Sequence, residues 1–82
     1  MADLLPEWNG KVVGVMHRMY MTQVALAAEM GTSREFVNRT LASPRQTPEL
    51  RQKVETALES FARSRGFYFN DLWKPEDRTR MP

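Results

Sequence analysis

The chain has 82 residues, with 41% apolar, 10% aromatic and 27% charged side chains. That is the make-up of one ordinary folded domain with a thin core, and a single domain with no second one carrying an active site is expected. It contains no cysteine and a single histidine, His17, which excludes disulfide staples, thiolate metal sites and histidine clusters. No metal or other cofactor is therefore expected. No apolar run approaches the roughly 18 to 20 residues of a membrane span, and the start lacks a basic segment followed by a hydrophobic stretch, so the expected setting is cytoplasmic. The net charge of +2 is small but unevenly placed. Residues 1–33 carry −1, residues 34–53 carry +3, and residues 54–82 balance five positive groups against five negative ones. A local basic patch of this kind is what a phosphate-binding face needs.

The spacing of Trp8, Val12, Val15, Met16 and Met19 predicts a first helix from near Trp8 or Asn9 to near Tyr20. Gly10 and Gly14 weaken it by roughly 1 kcal/mol each, a loss expected to be offset by close approach of a neighbouring helix. Thr22 is a good N-cap for a second helix over residues 23–30, with Met21 placed to pack on Leu26 as a hydrophobic staple. Gly31 stops that helix, because glycine readily takes the positive φ of a helix end. Ser33 then caps a third helix running to Leu41, and Glu35 sits in its first turn, where the helix dipole favours a negative charge. Pro44 ends it. Thr47 followed by Pro48 opens a fourth helix, with Leu50, Val54, Ala57, Leu58, Phe61 and Ala62 at helical spacing as far as Gly66. After that the character changes. The triplet Phe67, Tyr68 and Phe69 favours extended structure, Asn70-Asp71 favours a turn, and Trp73 is the last large apolar group.

The expected fold is thus all-α, a four- to five-helix bundle containing a helix-turn-helix over residues 1–66, followed by a short aromatic C-terminal extension over residues 67–82. Two helices separated by so short a turn hold the second across the first and leave one helix edge outward. The major groove of DNA admits one such helix, with residues near its start reaching the bases and flanking residues meeting phosphates. Ala27 is small where the two helices cross, and Leu26, Met30 and Val37 are apolar toward the core. Arg34, Glu35, Asn38 and Arg39 are polar and fall on the opposite side.

The segment TQVALAAEMGTSREFVNRTL, residues 22–41, resembles the lambda-repressor/Cro-like (XRE-type) helix-turn-helix family of phage and bacterial regulators, and the resemblance extends over about residues 9–65. Gln23 matches the family's glutamine at the start of the first motif helix, Ala27 its small residue four positions on, Gly31 its turn glycine and Val37 its mid-helix aliphatic residue. The stretch Leu41-Ala42-Ser43-Pro44-Arg45 is similar to the loop that commonly reads Leu-Asn-Gly and then a basic residue. Thr32 and Thr40 depart from the pattern, standing where aliphatic residues are usual, and the loop lacks its glycine. These departures bear on how tightly the third helix packs.

The resemblance implies base contacts by Arg34, Glu35 and Asn38, and phosphate contacts by Gln23 and Ser33. Chemistry agrees for the first set, since arginine matches the two acceptors of guanine, asparagine matches adenine, and glutamate accepts from the cytosine amino group. Arg39 and Arg45 are phosphate candidates on charge. The aromatic cluster of Phe67, Tyr68, Phe69 and Trp73 has two readings: it folds back over the core, or it pairs with the same segment of a second chain. The second gives a homodimer whose reading helices lie about 34 Å apart on a palindromic operator. The function expected is a sequence-specific transcriptional regulator, a repressor in particular. The alternative is an antitoxin or antirepressor-like factor that grips a protein through the aromatic tail. Enzyme activity is not expected, because no histidine pair, cysteine or glycine-rich phosphate loop is present.

Overall fold

The computed structural model describes residues 7–73. They form five helices in chain order: α1 Glu7–Arg18, α2 Gln23–Met30, α3 Arg34–Ala42, α4 Pro48–Arg65 and α5 Phe69–Trp73. Among the described residues there is no strand, and none of their helices is long and apolar enough to cross a membrane.

Three N-caps set the starts of α2, α3 and α4. Thr22, Ser33 and Thr47 each hold an extended backbone, and each side-chain oxygen accepts from the N–H three residues on, that of Ala25 at 3.0 Å, Phe36 at 3.1 Å and Leu50 at 3.1 Å. Each bond satisfies one amide that the helix itself cannot. The ends follow an equally regular rule. Gly31 and Gly66 adopt left-handed backbone (φ 70° and 84°), and the next amides, of Thr32 and Phe67, donate back to Ala27 and Ala62 at 2.9 and 2.8 Å. This is the Schellman closure.

The same closure ends α1, but without glycine. Tyr20 takes the left-handed position at φ 55°, its amide donates to His17 O, and the Met21 amide donates to Met16 O at 2.8 Å. Met16 and Met21, the residues that usually touch across such a closure, are both buried. A side chain in this region costs roughly 1 kcal/mol relative to glycine. The helix therefore ends at Arg18, two residues before the position its apolar spacing indicates.

One hydrophobic core joins all five helices. Val12, Leu26, Val37, Val54 and Leu58 are at most 1% exposed and lie at its centre. Helix α2 packs on both α3 and α4, while α1 contacts α3, α4 and α5. Trp8 ties α1 to α4, its indole N–H donating to Glu55 Oε2 at 2.9 Å with the Arg51 guanidinium over the ring.

Two expectations need correction. Phe67, Tyr68 and Phe69 do not form an extended segment: Phe69 begins α5, whose ring stacks on Trp73 at 5.5 Å between centroids. Phe67, Phe69, Leu72 and Trp73 are half-buried against the core, Lys11 lies 4.5 Å from the Trp73 ring centre, and Arg18 donates to Leu72 O. Packing against α1 and α4 has overridden the local preference for strand. Residues 74–82, which the extension was expected to include, lie outside the described residues. Second, no other described helix approaches Gly10 or Gly14. A β-carbon at either would meet nothing within 4 Å. Gly14→Ala is accordingly expected to stabilise the fold by about 0.5–1 kcal/mol, read as a rise in the midpoint of urea or thermal unfolding. An unchanged or lower midpoint would show that Gly14 has a role the helix geometry does not reveal.

Candidate nucleic-acid interface

Helices α2 and α3 are joined by Gly31, Thr32 and Ser33 alone. Val37, Thr40 and Leu41 are buried under α3, which fixes its rotation about its own axis. Glu35, Asn38, Arg39 and Ala42 then share the exposed face at spacings of three, four and seven, with exposed Arg34 beside them at the first turn. The structure thus brings the three base-contact candidates, Arg34, Glu35 and Asn38, to one exposed surface. Ala42 escaped the sequence reading, although its spacing of seven from Glu35 marks it; its methyl group is suited to contact with a thymine methyl.

Of the phosphate candidates, Arg39 lies on that face itself, while Gln23, Ser33 and Arg45 come from the segments before and after α3. Gln23, at the start of α2, reaches across the turn: its Nε2 lies 3.5 Å from Asn38 Oδ1, the outer limit of a hydrogen bond. Such a contact orients the asparagine with its amide nitrogen free to donate, and its oxygen keeps a second lone pair. Ser33 accepts the Phe36 amide through Oγ, and its hydroxyl hydrogen remains available to a phosphate. Arg39 and Arg45 stand on the rim of one shallow groove beside α3, with Phe36, Thr40 and Leu50 among its other walls.

Thr40, one of the residues that departs from the helix-turn-helix pattern, is only 6% exposed. Its hydroxyl donates to Phe36 O one turn back at 2.8 Å, so burial leaves no unpaired polar group. The third helix packs with Val37, Thr40 and Leu41 all inward. Thr32, the other departure, is half-buried and donates its amide to the closure of α2.

The far end of α3 is held by two residues that the sequence reading did not single out. Asn9 is fully buried on α1, and its Nδ2 donates to Leu41 O at 2.9 Å and Ser43 O at 2.8 Å. Gln46, from the loop after α3, donates through Nε2 to Thr40 O at 2.8 Å and also to Ser43 O. The last carbonyls of a helix have no partners within it, and here α1 and the loop supply them.

The positive charges sort into two groups. Of the nine lysines and arginines in the described residues, five are engaged by the fold: Lys11 over Trp73, Arg18 on Leu72 O, Arg51 over Trp8, Arg63 with Glu59, and Arg65 over Phe61. Among the described residues no such contact holds the side chains of Arg34, Arg39, Arg45 or Lys53. Three of these four lie on α3 or just after it. No protein-family model matches the chain, and neither a curated protein nor a solved structure does.

Proposed function

We propose that the chain is a sequence-specific DNA-binding transcriptional regulator, a repressor, that reads the major groove with α3. The observation that carries this reading is the sorting of charge. Among the described residues the fold engages Arg18, Arg51, Arg63 and Arg65 but leaves Arg34, Arg39 and Arg45 unengaged around an exposed helix face that also presents Glu35 and Asn38. Arg34, Glu35 and Asn38 supply the donors and acceptors that read base edges, and Gln23, Ser33, Arg39 and Arg45 fix the register on the backbone. Selection of bound duplexes from a random DNA pool is the direct test. A short consensus is expected, repeated as an inverted half-site about one helical turn away. Recovery of no preferred sequence would overturn the reading.

The inverted repeat follows from a proposed homodimer. Three of the four aromatic candidates, Phe67, Phe69 and Trp73, pack against their own chain, whereas Tyr68 is 79% exposed beside the open groove between α4 and α5. The dimer contact accordingly centres on Tyr68. Tyr68→Ser should shift sedimentation from dimer toward monomer with unfolding unchanged, and an unaltered profile would remove Tyr68 from the interface. The same exposed ring is what an antitoxin-like factor would use on a different protein, and capture of such a partner with no DNA preference would favour that reading instead.

A further inference from the structure

Tyr20 combines a backbone position set by the end of α1 with a side chain that takes no part in the fold. It occupies a left-handed backbone position, φ 55°, that the other two closures of the same kind give to Gly31 and Gly66. Its side chain is 89% exposed, the highest value among the exposed large apolar residues. Among the described residues, no hydrogen bond or ring contact engages that side chain. A strained residue whose side chain contributes nothing to packing points to a role outside the fold. Its location suggests which. Tyr20 stands two residues before the Thr22 cap and three before Gln23, whose side chain reaches Asn38 on the exposed face of α3. Tyr20 is thus an exposed side chain in the short segment that leads into α2, the helix whose first residue, Gln23, is a candidate for the sugar-phosphate backbone.

We propose that the Tyr20 phenol donates a hydrogen bond to a DNA phosphate oxygen flanking the bases read by α3. The proposal rests on the DNA-binding reading of α3 and adds a neutral contact to it. A tyrosine hydroxyl is a recognised phosphate donor, it requires no charge on the protein, and the stiff ring holds it several ångströms beyond the backbone at little entropic cost. It also accounts for the choice of residue: glycine would relieve the strain but could not reach.

The test measures affinity for the duplex selected from the random pool and for a scrambled duplex, over a range of salt, for the full chain and for Tyr20→Phe, Tyr20→Gly and Arg39→Ala, with thermal unfolding alongside. Tyr20→Phe is expected to bind both duplexes about tenfold more weakly with the same salt slope, because no charge is lost. Tyr20→Gly should lose at least as much affinity while melting about 5 °C higher, since the strain is removed. Arg39→Ala serves as the reference, losing affinity together with about one unit of salt slope. If both Tyr20 variants bind like the unaltered chain while Arg39→Ala is weakened, the Tyr20 contact is wrong and the DNA-binding reading stands. If Tyr20→Phe alone retains full affinity, hydroxyl donation is wrong. If the unaltered chain binds neither duplex, both readings fall together.

Discussion

Asn9→Ala should lower the stability of this protein by about 2–4 kcal/mol, a large share of what a small domain possesses. The asparagine is fully buried on α1 and donates to two carbonyls, those of Leu41 and Ser43, 32 and 34 residues away. Alanine leaves a void and strips the Leu41 carbonyl of the side-chain donor that serves it. The Ser43 carbonyl keeps Gln46. A buried acceptor without its partner costs about 1–3 kcal/mol, and the lost packing adds to it. Asn9→Asp is expected to be worse, although it changes one atom. It sets a carboxylate against two carbonyl oxygens at the negative end of the α3 dipole. Chemical denaturation of the two variants checks both expectations. An aspartate variant as stable as the original would mean that the amide is not the donor described.

Loss of Arg34 and loss of Arg39 should separate cleanly in DNA binding. Both are exposed on α3 and unengaged among the described residues, yet they occupy different parts of the proposed interface. Arg34 is the first residue of the helix, where side chains reach base edges. Arg34→Ala should cost about 1–3 kcal/mol on the selected sequence, little on scrambled DNA, and relax preference at one base pair. Arg39 shares a groove rim with Arg45 beside the helix. Arg39→Ala should weaken binding to every sequence alike and reduce the salt slope by about one. The measurement is a salt titration of affinity on both duplexes. Equal loss on both by Arg34→Ala would move that arginine from the bases to the backbone. A sequence-restricted loss by Arg39→Ala would do the reverse.

The parts of the fold legible in the sequence are those decided within a few residues. Thr22, Ser33 and Thr47 cap helices because each oxygen needs only the amide three positions on, and Gly31 and Gly66 stop them because the left-handed backbone favours glycine. The exposed face of α3 is legible for the same reason, since helical spacing assigns Glu35, Asn38 and Arg39 to one side once Val37 is placed inward. What was hidden depends on distant chain. Nothing local marks Asn9 as the residue that closes α3, and an asparagine in an apolar stripe reads as a surface group. Tyr20 hides the end of α1 because the closure there carries a large side chain where the rule anticipates glycine. The triplet from Phe67 to Phe69 favours strand by itself and yields to the surface that α1 and α4 offer it.

The bonding of α3 at its two ends has a consequence for the entropy of recognition. A helix of nine residues is too short to persist in water alone. At its start it relies on its own Ser33, but its final turn is fastened by Asn9 of α1 and by Gln46. Its ordering is therefore completed during folding and draws nothing from the free energy of a later encounter. A ligand that meets this face finds the side chains already spaced, and only their rotamers remain to be fixed.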